Sequence, residues 1–150
     1  MRSIAAICAV IVLVAPLSAS TSLQFLDSID KAGIDCGCAF FNFNPDLEAE
    51  LYVAGREVLF FDLTSAPPRA LVNFGRGNLE LYLEESSSLP IKSCKTGEPF
   101  LSRWKLDSLT ISAKLKVSVA DGPICWFGGE LSVSSSEGVG PTIISGACQC

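Results

Sequence analysis

SLTISAKLKVSV, residues 108–119, is the stretch that decides the fold. Leu109, Ile111, Ala113, Leu115, Val117 and Val119 alternate with Ser108, Thr110, Ser112, Lys114, Lys116 and Ser118. Side chains alternate across a strand but recur every 3.6 residues around a helix. A period of two over this length therefore specifies one long strand. One face is apolar and one is wet, which is the pattern of an antiparallel sheet.

Working outward, Asp121-Gly122 predicts a hairpin. Pro123 lacks the N–H that a two-residue turn from Ala120 would need, so a slightly longer loop is expected. ICWFGGELSVS (124–134) returns as a strand, with Gly128-Gly129 marking a bulge or bend. SSEGVGP (135–141) reads as a loop and TIISGACQC (142–150) as the final strand. Upstream, LELYLE (79–84) points Leu79, Leu81 and Leu83 inward and Glu80, Tyr82 and Glu84 outward. ALVNF (70–74), LEAELYV (47–53) and CAFFNF (38–43) read as further strands. EVLFFDLT (57–64) is apolar on both faces, as a strand covered on both sides would be. Residues 85–104 break the pattern with prolines, a glycine and serines. They read as a long connection tied down by Cys94, either functional or hiding an edge strand near Leu89 to Ile91.

The sum is roughly seven to nine strands joined by short turns, with no internal repeat. The fold class is all-β: an antiparallel β-sandwich or a small β-barrel, with consecutive hairpins favouring a meander. Ahead of it, residues 21–34 form an N-terminal arm or a short helix. Leu23, Leu26 and Ile29 fall at helical spacing, Ser22 suits a cap and Gly33 a stop. Residues 35–150 form a single disulfide-braced domain.

The first 20 residues set the compartment. Arg2, the apolar run Ile4 to Val14, Pro16 and the small residues Ser18, Ala19 and Ser20 make a cleavable secretory signal peptide. The run is too short to span a bilayer, and no later segment is apolar enough to do so. The expected location is secreted: periplasmic in a Gram-negative cell, otherwise extracellular. Loss of Arg2 with the leader leaves ten basic residues against 16 acidic, a mature net charge of about −6. That charge argues against nucleic acid or an anionic membrane as the partner.

Loss of Cys8 with the leader turns seven cysteines into six: Cys36, Cys38, Cys94, Cys125, Cys148 and Cys150. An even count in an exported chain reads as a disulfide framework. Positions i and i+2 of a strand share a face about 7 Å apart, too far for Cys36 to bridge Cys38 or Cys148 to bridge Cys150. If the first and last strands run antiparallel, Cys36 can reach Cys150 and Cys38 can reach Cys148, because positions two apart have the same pair type. Cys94 and Cys125 then remain as the third pair. This is one of many connectivities that six cysteines allow. The first such bridge closes a loop of about 115 residues and is worth on the order of 4.5 to 5 kcal/mol. Its neighbour adds little loop entropy but pins the register. Four thiolates holding zinc or copper(I) are the alternative, disfavoured by the spacing, the lack of histidine and the oxidising compartment.

No motif specifies catalysis. The chain has no histidine, so a histidine triad is excluded. Ser-x-x-Lys at Ser28/Lys31 and Ser102/Lys105 occurs at the frequency chance gives. Glu48/Glu50 and Glu80/Glu84 read as wet strand faces. Asp62, inside an apolar strand, requires a partner such as Arg56, Arg69 or Arg76. Trp104, between Arg103 and Lys105, is the candidate partner contact, set against the alternative that it folds back over the core. The functional expectation is a non-enzymatic exported domain with a binding or structural role toward a protein or envelope component. No cofactor and no metal are expected. The alternatives are a barrel carrying an apolar ligand and a hydrolase built on carboxylates.

Overall fold

A computed structural model describes residues 22–43, 55–86, 94–134 and 139–150. Eight antiparallel strands follow one another around a closed barrel. They are β1 (Gly37–Asn42), β2 (Leu59–Asp62), β3 (Arg69–Asn73), β4 (Asn78–Ser86), β5 (Pro99–Leu106), β6 (Leu109–Asp121), β7 (Ile124–Ser134) and β8 (Val139–Gln149). Each pairs with the next, and β8 pairs back with β1 from Gly37↔Gln149 to Asn42↔Ile144. The meander and the barrel alternative therefore hold. The signal peptide, the strand over 47–53 and the edge strand near 89–91 that the sequence leads one to expect fall outside the described residues.

The alternating stretch 108–119 falls in β6, and its alternation breaks at Val119. Ile111, Ala113, Leu115 and Val117 are buried as the alternation requires, but Val119 is 53% exposed. The register shifts between Val117 and Val119, opposite Phe127 and Trp126. The extra residue, Ser118, is a bulge that turns the rest of the strand over. The irregularity expected at Gly128-Gly129 thus falls on the partner strand. Both glycines pair regularly, with Lys116 and Leu115. A Cβ on Gly129 would meet the backbone of Lys114 and Leu115, so the close approach of β6 explains this glycine.

The β6–β7 turn is shorter than expected. Asp121 pairs with Ile124, leaving Gly122-Pro123 as a two-residue loop with Gly122 at φ 56°. Pro123 sits inside the turn, where no N–H is required, and glycine first is what a type II′ hairpin needs. The 85–104 connection is also shorter than read. Its second part is β5, in which Phe100, Ser102 and Trp104 are buried. The polar Ser102 masks the alternation. β8 likewise begins at Val139 rather than 142, with Pro141 inside a register shift that relieves it of ladder pairing.

Residues 22–35 are an extended arm and not a helix. The main chain of the arm hydrogen-bonds the barrel, and a single turn closes within it, where Ile34 N–H donates to the Lys31 carbonyl at 3.2 Å. Gln24 N–H donates to the Asn73 carbonyl at 2.8 Å and Leu26 N–H to the Glu57 carbonyl at 2.7 Å. At the far end, the Asp35 and Cys36 amides both donate to Thr64 Oγ1, at 3.0 and 2.9 Å. Leu26 packs with Phe60 and Leu71, and Ile29 and Ile34 pack against that cluster. The arm is what covers the second apolar face of β2.

Inside, Phe40, Phe61, Phe100, Trp104 and Phe127 form a continuous aromatic cluster. Phe61 lies at its centre, stacked on Trp104 at 4.5 Å between ring centroids and edge-on to Phe40 at 5.1 Å. Phe100 links Phe61 to Phe127, at 6.2 and 5.7 Å.

The three disulfides are Cys36–Cys150, Cys38–Cys148 and Cys94–Cys125. The first two staple the β1–β8 seam. The inner one is buried, with Cys38 at 0% and Cys148 at 2% exposure, while Cys150 is exposed. Replacing Cys36 and Cys150 by serine is expected to cost about 2 kcal/mol or less, because the inner bridge still closes the long loop. Replacing all four seam cysteines is expected to cost about 5 kcal/mol or more. Urea unfolding of the two variants measures the difference.

Candidate functional site

The residues able to carry chemistry separate into internal supports and surface features. Asp62 is 3% exposed on β2, where register places it opposite Arg69 on β3. Arg69 Nε donates to Asp62 Oδ2 at 2.9 Å, and its Nη1 donates to Glu80 Oε1 at 2.9 Å. Asp62 Oδ1 accepts the Thr64 and Ser65 amides at 3.0 and 3.2 Å, closing the turn after β2. Of the three arginines considered for Asp62, Arg69 is the partner. The hydrogen bond that Arg69 donates to Asp62 raises the Arg69 pKa against the opposing effect of burial, and Glu80 adds to it, so the guanidinium stays charged.

Glu57 is the second buried acid, at 5% exposure. Its Oε1 accepts from Lys31 Nζ at 3.0 Å and its Oε2 from the Gly55 amide at 2.7 Å. Burial pushes this carboxyl up. Hydrogen bonds from its own backbone amide, Lys31 and Gly55 outweigh burial and hold it below the ordinary glutamate range. Lys31 also lies 5.5 Å over the Phe60 ring. Glu57 therefore ties the arm to β2 twice, through its carbonyl to Leu26 and through its carboxylate to Lys31. Both buried acids are committed to local partners.

The candidate partner contact divides. Trp104 is on β5 at 0% exposure, facing the barrel interior, and its Nε1–H donates to Ser102 Oγ at 2.8 Å. It has no surface to offer a partner, and the fold-back alternative is what occurs. Arg103 and Lys105, one residue to either side, point outward by strand alternation. Lys114 and Lys116 on β6 extend this face, opposite Leu101 and Pro99. The four cations run diagonally over two strands, and Leu101 among them is 46% exposed. On the β4 margin, Glu85 lies 3.3 Å from Arg103 and Glu84 3.7 Å from Lys105. The sequence showed the first two cations. It did not show the other two as their neighbours, because that requires the β5–β6 register.

A second surface feature went unread. Between β6, β7, β8 and the end of β1 lies an open groove of about 520 Å³, with Phe43, Val119, Trp126 and Ile143 around Gly128 and Ser145. The available signal was Gly128-Gly129 beside Trp126, but the groove also needs the Ser118 bulge to bring Val119 outside. All six described cysteines are oxidised in pairs, so they offer no thiolate to a metal. Among the described residues no cluster of three or more His, Cys, Asp or Glu is placed to hold one. Comparison with known protein families, with characterised proteins and with solved structures finds no match.

Two outcomes follow from the internal supports. Ser102→Ala leaves the Trp104 indole N–H buried without an acceptor and is expected to destabilise the fold by about 1–3 kcal/mol, measured by chemical denaturation. Because the folded Glu57 pKa is depressed, its contribution is full above the unfolded glutamate value and is lost as pH falls through the folded value. The hydrogen-exchange protection factor of the Leu26 amide, taken against its intrinsic rate at each pH, should therefore fall below about pH 4.3. In Glu57→Gln that protection factor should be lower at neutral pH and should not fall further over the same acid range.

Proposed function

We propose that this protein is an exported, non-enzymatic domain that uses a disulfide-locked barrel to present a binding surface to a macromolecule of the cell envelope or extracellular space. The observation that carries the reading is the filled barrel. With Phe40, Phe61, Phe100, Trp104 and Phe127 packed across its middle, the interior is a core. A carrier of the lipocalin type needs that space free, so recognition belongs on the outside. The three disulfides suit an oxidising compartment, where such bridges persist. No described helix is long and apolar enough to cross a membrane. Asp62 and Glu57 hold a turn and the arm, which supports structural rather than catalytic use of these acids.

The diagonal of Arg103, Lys105, Lys114 and Lys116 is the face best suited to the partner. It concentrates four cations on an acidic chain, beside an exposed Leu101. Complementary charge steers encounter and fixes orientation, and such binding weakens with salt. A partner with an acidic surface fits it.

The test uses labelled mature protein and washed envelope fractions from the producing cell. Charge reversal in Lys114→Glu/Lys116→Glu is expected to lower retention about tenfold at 50 mM salt and less at 500 mM, as screening predicts. Unchanged retention in that variant would remove the β5–β6 face from the proposal. Turnover of a substrate by the wild-type chain would remove its non-enzymatic character.

A further inference from the structure

The groove on the opposite flank of β6 has a different chemistry from the cationic face. We propose that it is a binding site for a small, neutral, largely apolar molecule carrying one hydrogen-bonding group. None of the residues lining it is charged. A charged ligand would lose its hydration there without gaining a counter-charge. Val119 and Ile143 are each 53% exposed and Phe43 is 43% exposed, which gathers three large apolar side chains of the surface in one place. Val119 is there because the Ser118 bulge turns it outward. Bulges recur beside functional sites, where they re-aim a side chain.

The floor argues for an occupant. A Cβ on Gly128 would meet nothing within 4 Å, so no steric demand of the fold explains this glycine, in contrast to Gly129. Its effect is to leave the middle of the groove open. Across the strand pair from Gly128 stands Ser145, whose Oγ is buried with no hydrogen-bond partner among the described residues. Unsatisfied buried hydroxyls are uncommon and point to a missing partner. Ser145 lines the groove, and a turn about its χ1 would bring the sealed Oγ to a ligand N–H or O–H set among apolar atoms. The volume of about 520 Å³ lies within the usual span of small-ligand sites.

A second copy of the chain suits the site less well. It offers the convex outside of another barrel to a recessed floor. Two mature chains also each carry a net charge of about −6 and repel.

N-Phenyl-1-naphthylamine is a suitable probe: neutral, apolar and with one N–H for Ser145 Oγ. Titrated into the disulfide-intact mature protein, it should give a saturable one-site fluorescence rise. Gly128→Leu fills the floor and should weaken binding about tenfold or more. Ser145→Ala keeps the shape and removes the acceptor, and should weaken binding about three- to tenfold. The second variant keeps the test decisive should the first disturb folding. Arg76→Gln, on the exposed β3–β4 turn, should leave binding unchanged. No saturable signal, or equal affinity in wild type and both groove variants, would overturn the site. A dimer in sedimentation that dissolves in Gly128→Leu would assign the groove to a second copy and overturn the small-molecule reading.

Discussion

The structure depends on the seam between β1 and β8. Eight strands in sequence order would form an open sheet with two unpaired edges, and such edges recruit other chains. Here the first and last strands pair over six residues, so the ladder closes on itself. The seam is also the least local contact in the fold, joining residues more than 100 positions apart. Bringing such ends together costs the most chain entropy. Two disulfides at Cys36–Cys150 and Cys38–Cys148 lower that cost by restricting the unfolded chain, and two fixed points forbid a register slip. Gly146 serves the same seam. A Cβ there would meet the Ala39 carbonyl and Phe40, so only glycine lets β8 lie this close to β1.

Once the seam is closed, the other features follow. An eight-stranded barrel has an interior about wide enough for side chains to fill, and the aromatic cluster fills it. The β2 strand then has Phe61 inside and Phe60 outside, and Phe60 needs a cover. The arm provides it, held at Glu57, Asn73 and Thr64. A filled interior and a covered flank leave the remaining outer surface open. That surface carries two unlike features on either side of β6: a run of cations and a neutral groove.

Much of this was legible in the chain. Alternation over 108–119, the turn residues and the evenly spaced apolar runs were enough for the all-β class, because period two is a local property. The cysteine pairing was legible for a less obvious reason. The two Cys-x-Cys stretches satisfy disulfide geometry together if they face each other as antiparallel strands, so the seam was one of the connectivities that the spacing offered, and it is the one that occurs. What failed to read was whatever depends on a register shift or on an internal polar side chain. The Ser118 bulge reversed Val119. Ser102 broke the apparent pattern of β5 although it faces inward with Trp104. The helix over 21–34 lost to tertiary context: the apolar residues of the arm gain more by covering Phe60 and Leu71 than by lying on one helical stripe. Neither surface feature was visible whole, since each draws side chains from strands whose register the sequence does not state.

The most direct test of the seam is non-reducing peptide mapping of the purified protein. Digestion with trypsin and a glutamate-specific protease separates Cys125 from Cys148 and Cys150, and the fragments are identified by mass. The account predicts no free thiol, one fragment joining the Cys36/Cys38 peptide to the Cys148/Cys150 peptide, and a second joining Cys94 to Cys125. Partial reduction should open the exposed Cys36–Cys150 bridge before the buried Cys38–Cys148 bridge. Free thiols among the six cysteines from Cys36 to Cys150, or a Cys36/Cys38 peptide that leaves the digest unattached to the C-terminal one, would contradict it.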